Sequence, residues 1–247
     1  MFEKVIAWDI GLKNLSYCIL QKAGEGSLTK HGYIILDWEV INLYPEESGN
    51  KFKCYGLTRK KEICGKKAKY QNDDKCYCKS HAPKNEFTKE IKKYKKSNNK
   101  NPFEYAIRIK NELDKRPNIC NVDVVIIENQ PALVNPIMKT VQIIVLSYFS
   151  FKYSSDTPFT VHNLNAKRKE KLPDMDKDWG NSSYKKEYES RIQNIKSKYS
   201  RRKLLCFYYA KLCLEPSPEM QDFLLNHNKQ DDLTDSFLMC TDWFFRK

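Results

Sequence analysis

The sequence predicts an α/β protein, a mixed sheet flanked by helices with a small Cys/His insert, and three observations predict it. Strand-like runs open the chain at residues 4–20 and 32–44, joined by connections short enough for antiparallel neighbours. A further apolar run, Val122–Ile127, lies between two helical patterns, the layout of a buried strand in an α/β protein. Between these blocks, residues 48–101 lose apolar periodicity and fill with Lys and Cys.

Each element has a local reason. Residues 4–20, KVIAWDIGLKNLSYCIL, read as two strands around a tight turn at Gly11–Asn14. Residues 32–44, GYIILDWEVINLY, are rich in Ile, Val, Tyr and Trp and read as a third strand. The run KEIKKYKKSNNKN at 89–101 reads as an exposed helix end or linker. A helix follows at 102–115, with Pro102 suited to its first turn. After the Val122–Ile127 strand come a helix from Asn135 to Lys152 and a short strand at Pro158–Asn163. Residues 164–200, with Pro173 and Gly180, read as a loop with some helix. Helices at 201–214 and 229–245 close the chain, and no internal repeat appears.

Net charge is +13, and its distribution is uneven. Residues 51–100 hold 17 Lys/Arg against 5 Asp/Glu, whereas the rest of the chain holds 27 against 26. A polyanionic partner for that one segment follows from the surplus. No run approaches the roughly 18 apolar residues that span a bilayer. The chain enters a strand by Val5, before a signal peptide would fit, so the expected setting is intracellular and non-secreted. In that setting the nine cysteines read as thiols or metal ligands, not as a disulfide framework. Cys18, Cys120, Cys206, Cys213 and Cys240 sit in apolar text and read as small core residues.

Four carboxylates stand where a hydrolytic metal site would need them. Asp9 interrupts the apolar strand IAWDIG, and a lone buried carboxylate is costly unless paired or bound to a cation. Glu128 ends VDVVIIE, at the carboxyl edge where sites of open α/β sheets gather. Asp232 and Asp235 are three apart at the start of the last helix and so share one face. Taken singly, either could merely cap that helix. Together the four form an oxygen-rich set of the kind that holds Mg²⁺ for phosphodiester hydrolysis.

DIGLKNLSYCIL, IIENQP and DDLTDSF, in that order on strand, strand and helix, resemble the three acidic motifs of the RuvC-like Holliday junction resolvases. The likeness is greatest to the branch in poxviruses and other large nucleocytoplasmic DNA viruses, which is related to fungal mitochondrial resolvases. It covers everything except the insert. The resemblance implies an RNase H-like fold in residues 1–49 and 102–247, a homodimer, and paired nicks across four-way or otherwise branched DNA. It implies two Mg²⁺ per active site, with Mn²⁺ able to substitute, on Asp9, Glu128, Asp232 and Asp235. Asp231 is a substitute for Asp232 that the family spacing Asp-x-x-Asp disfavours. The family's catalytic lysine falls on Lys203, in YSRRKLLCFYYAKL, with Lys167 as the alternative. No membrane and no small-molecule cofactor are implied, and host nucleus and cytoplasm are both open as the site of action. The competing readings are another RNase H-like nuclease, acting on RNA–DNA hybrid or as a transposase-like cutter, and a non-catalytic zinc-dependent nucleic-acid binder.

Residues 50–101 form the basic insert and linker. They offer Cys54, Cys64, Cys76, Cys78 and His81, and structural zinc takes four Cys/His ligands. The expected set is Cys54, Cys64, Cys78 and His81, with Cys76 spare. A segment this poor in apolar residues needs metal to fold, and its charge would face phosphate backbone without choosing sequence. Tyr55, Tyr70 and Tyr77 are open to either base stacking or core filling.

Overall fold

The computed structural model describes residues 3–22, 31–44, 52–90, 101–154, 158–165, 168, 172 and 175–246. The chain divides into two compact units, Met1–Leu43 with Asn101–Lys247, and Tyr44–Lys100.

The larger unit is built on a five-stranded mixed sheet. Strands β1 (Lys4–Ile10), β2 (Asn14–Lys22) and β3 (Tyr33–Asn42) are antiparallel neighbours, and β7 (Val124–Glu128) and β8 (Thr160–Leu164) continue the sheet in parallel with β1. The order across the sheet is β3-β2-β1-β7-β8. The mixed α/β sheet is thus as the strand runs predict. The turn between β1 and β2 depends on Gly11, where a Cβ would lie 2.5 Å from the Asn14 carbonyl oxygen.

Period-two alternation gives the sheet two apolar faces. Trp8 on one face meets Tyr17 across the strand pair at 4.9 Å between ring centroids, and Phe149 of a covering helix at 6.0 Å. That helix is α2 (Pro136–Lys152), and it packs against α1 (Pro102–Asp114), each opening on a proline and an Asn cap. On the other face Val5, Ala7, Cys18, Leu20, Val124 and Ile126 form one core with Phe237 and Cys240 of the last helix. Burial of that many aliphatic and aromatic side chains, at roughly 1.5–3 kcal/mol each, is the main force holding helix to sheet.

Four further elements precede the last helix, α7 (Gln230–Phe245). They are α3 (Met175–Asn181), α4 (Ser183–Ile192), α5 (Lys198–Cys213) and α6 (Pro218–Asn226). Two expectations need correction here. The stretch 164–200 is helical over most of its described second half, with Gly180 inside α3, and α6 has no counterpart in the sequence reading. The reason is physical: α4 buries none of its side chains and α6 buries only Leu224, so neither writes an apolar stripe into the text. Pro173 lies outside the described residues. Of the five cysteines expected in the core, Cys120 is only partly buried. Among the described residues, no helix is long and apolar enough to cross a membrane.

The smaller unit carries a three-stranded sheet, β5-β4-β6, from Tyr70–Asn72 (β4), Lys75–Tyr77 (β5) and Lys89–Glu90 (β6). Lys89 and Glu90 therefore begin no helix; they pair with Gln71 and Tyr70, and residues 91–100 lie outside the described set.

Candidate functional site

All four singled-out carboxylates of the larger unit line one cleft of about 380 Å³, together with Lys203 and Asp231. Parallel pairing explains the first two. The register between β1 and β7 sets Trp8 opposite Ile127, so the next residues, Asp9 and Glu128, stand side by side on the face under α7. Antiparallel pairing of Asp9 with Ser16, and a 2.9 Å contact between the Ser16 and Ser236 hydroxyls, bring α7 over that corner.

Helix α7 starts at Gln230, and Asp232 stands in its first turn, 4.0 Å from Lys229 Nζ. Its carboxylate also accepts from Asn14 Nδ2 at 3.2 Å. Burial pushes the Asp232 carboxyl up from its ordinary value, and the neighbouring Asp231 adds to the effect. Asp235, one turn further along, is only 4 % exposed and accepts from Lys203 Nζ at 2.5 Å. Lys203, on α5, also lies 3.8 Å from Asp231. An ammonium thus stands within a group of like charges whose burial would otherwise be costly. Lys167 lies outside the described residues. Its neighbour Arg168 pairs with Asp242, a fully buried carboxylate that also holds Arg246.

Sequence reasoning missed a set of amides behind Glu128. Gln130 Nε2 donates to Glu128 Oε2 at 2.9 Å, and the Gln130 backbone N–H donates to Gln142 Oε1 at 2.9 Å. Gln142, almost fully buried, donates in turn to Asn163 Oδ1 at 2.7 Å and accepts from Lys139 at 3.0 Å. A single Gln inside the apolar helix text TVQIIVLS was the available signal. Lys13, Arg202 and Lys229 also line the cleft and were likewise not singled out.

In the smaller unit Cys54, Cys64, Cys78 and His81 come together, their ligand atoms within 4.8 Å of one another, a group that could hold a metal ion. His81 Nδ1 lies 3.4 Å from Cys54 Sγ and 3.6 Å from Cys78 Sγ. A tetrahedral site with Zn–S near 2.3 Å and Zn–N near 2.0 Å has S···N edges of about 3.5 Å, so the spacing suits that ion. Burial, the largest single influence on Cys78, pushes its thiol up, but hydrogen bonds from the Ser80 and His81 N–H groups and with Cys54 and Cys64 outweigh it. The net direction is down, towards the thiolate a metal requires. Gly56 N–H donates to Cys54 Sγ at 3.3 Å, as the surroundings of a metal thiolate commonly do. Cys76 is buried within β5 and outside this group.

No protein-family model matches the chain. It is 26 % identical to uncharacterized protein L451 of Acanthamoeba polyphaga mimivirus over 310 aligned positions, which take in 95 % of this chain and 73 % of that protein. Among solved structures it is similar to the yeast mitochondrial Holliday junction resolvase Ydc2, with a TM-score of 0.46 and 17 % identity over 98 % of this chain and 78 % of that one.

Proposed function

We propose that this chain is a metal-dependent endonuclease of RNase H-like fold that cuts branched DNA, resolving four-way junctions by paired nicks as a homodimer. The observation that carries the proposal is the convergence of Asp9, Glu128, Asp232, Asp235 and Lys203 on one cleft from two strand ends and two helices. A protein that only bound nucleic acid would gain nothing from gathering carboxylates where phosphate must approach.

The donor set suits Mg²⁺. Every candidate ligand is a hard carboxylate oxygen, the cleft is open to water, and burial, with the neighbouring Asp231 adding to it, raises the Asp232 carboxyl, so a bound divalent cation would favour its ionised form. Asp9, Glu128, Asp232 and Asp235 would hold the metal, which supplies water activation and stabilisation of the departing oxygen. The chain's own residues do the remainder. Gln130 and Asn14 fix the orientation of Glu128 and Asp232 through one hydrogen bond each. Lys203 offers a positive charge to the scissile phosphate as its negative charge grows. Lys13, Arg202 and Lys229 on the cleft wall attract the flanking phosphates. In the smaller unit, zinc on Cys54, Cys64, Cys78 and His81 would order a basic surface for the same backbone.

The test is cleavage of a four-way junction, a duplex, a flap and an RNA–DNA hybrid, each with and without Mg²⁺. Paired nicks in the junction alone are expected. Preference for the hybrid would turn the reading to another RNase H-like nuclease, and binding without cutting to a non-catalytic binder.

A further inference from the structure

Residues 53–67 of the smaller unit fold into a hairpin whose two faces differ in kind. Lys53 bridges to Lys67 and Leu57 to Ile63, and the Cys64 N–H donates to the Gly56 carbonyl at 2.8 Å. Side chains alternate along such a ladder. Cys54, Gly56 and Cys64 face the ligand cluster, and Tyr55, Leu57 and Ile63 therefore face away from it. These three are 57, 60 and 65 % exposed. A cross-strand apolar pair with an adjoining tyrosine, all largely exposed, is an apolar flank open to contact.

The apex carries the second feature. Thr58 N–H donates to the Glu62 carbonyl and Lys61 N–H to the Thr58 carbonyl, closing a turn in which Lys61 takes φ 62°. That left-handed position favours glycine, whereas this chain spends strain there on a lysine beside Arg59 and Lys60. Glu62 offsets one of the three charges. The result is a finger with a cationic tip and an apolar flank, tied at its base to a candidate metal site.

We propose that this hairpin contacts unpaired nucleic acid, with Tyr55, Leu57 and Ile63 packing on exposed base faces while Arg59, Lys60 and Lys61 hold the adjoining phosphates. Base faces suit an apolar flank and phosphates a cationic tip, and both chemistries lie within one residue of each other wherever strands part. A protein partner would have to pair the same apolar flank with acidic residues at the tip. The local surplus of lysine, continuing through Lys66, Lys67 and Lys69, favours the polyanion. The inference rests on the reading that the smaller unit serves a DNA-acting enzyme.

The experiment titrates metal-loaded, full-length protein onto three fluorescent probes: a four-way junction and a single strand, each with 2-aminopurine at an unstacked position, and a perfect duplex. The apolar variant Y55A/L57S/I63S should weaken binding to the junction and single strand about tenfold. It should leave duplex affinity and the salt slope unchanged, and lose the wild-type change in 2-aminopurine emission. The tip variant R59A/K60A/K61G should lower the salt slope by about two to three units on every probe. The control K66A/K67A/K69A removes charge outside the tip. If only the control weakens binding, the hairpin proposal is overturned and the unit's role in DNA binding stands. If all three bind as wild type, both readings fall, and the apolar flank belongs to a protein partner. Equal losses on duplex and junction by the apolar variant would also overturn base contact. Zinc content is measured throughout, and Leu57→Ser alone replaces the triple variant if that variant loses its metal.

Discussion

Gln130 donates its side-chain amide to Glu128 at 2.9 Å while its backbone N–H is held by Gln142 at 2.9 Å. The chain must leave β7 and turn within two residues, and these bonds fix where the Glu128 carboxylate ends up. The group that reaches the carboxylate is a neutral amide, and the relay behind it runs through Gln142 to Asn163, with the Lys139 ammonium donating to Gln142 from the far side.

Gln142→Leu removes the relay at its buried centre. It leaves the Gln130 N–H and Asn163 without their partner, at a cost of about 1–3 kcal/mol in stability. We expect kcat on junction DNA to fall by about tenfold or more, because small displacements of a reacting group cost that much. Junction affinity in the absence of divalent metal should stay within about twofold of wild type, an equilibrium change of under 0.5 kcal/mol. Calorimetric melting, filter binding and single-turnover cleavage check the three statements separately. Loss of binding in step with kcat would mean that the residue supports the fold alone.

Asp9→Asn, Glu128→Gln and Asp235→Asn should each abolish cleavage with junction binding retained. Lys203→Met should behave differently. It leaves the nearly buried Asp235 without its 2.5 Å partner, so the variant melts earlier without divalent metal. Added Mg²⁺ should restore more stability to it than to wild type, since the cation replaces the lost ammonium. Cleavage should fall by about a hundredfold or more, in line with loss of one charge-stabilising donor. A Mg²⁺ titration followed by melting and by gel assay reads both. Near wild-type turnover in any of the acid variants would remove that residue from the ligand set.

What could be read from the text, and what could not, follows from burial. Asp9 and Glu128 stood out because each breaks an apolar run, and apolar runs are how buried strands are written. The pairing of β1 with β7 is a long-range fact that only the register supplies. Gln142 was hidden because one amide among the five apolar residues of VQIIVL does not disturb a helical stripe. Helices α4 and α6 were hidden because they bury one side chain between them. The cysteine set was legible from spacing, but Gly56 was not, since its importance lies in a contact with a residue 25 positions away.

Stability should fall on acidification partly through Glu39. Arg116 binds it with two hydrogen bonds and holds its carboxyl below the ordinary 4.5, with Tyr17 adding a third. A lowered folded value means the contribution is complete above about pH 4.5 and is lost as pH drops through that lowered value. Glu39→Gln should therefore flatten the acid side of the stability curve for the larger unit and leave cleavage at neutral pH unchanged. Urea midpoints measured between pH 3 and 7 would show it; curves that stay parallel would mean that the pair contributes equally in both protonation states.

Gly56→Ala tests the Cys/His centre without touching a ligand. A Cβ at this position would lie 2.4 Å from His81 Cβ and 2.7 Å from Nδ1. No side-chain rotation relieves a clash with a Cβ, so either the hairpin backbone or the His81 backbone must move. The same glycine donates its N–H to Cys54 Sγ, and that bond would be displaced with it. Two of four ligands would then sit off tetrahedral positions, and such outer contacts typically change metal affinity by about 10–100-fold. Purified wild type is expected to carry about one zinc per chain and the variant to release it to a chelator at correspondingly lower concentration. The larger unit buries its own core and should keep its melting transition in both. Equal zinc retention by the two proteins, or a wild type free of zinc, would leave Cys54, Cys64, Cys78 and His81 as a reduced thiol cluster with no structural ion.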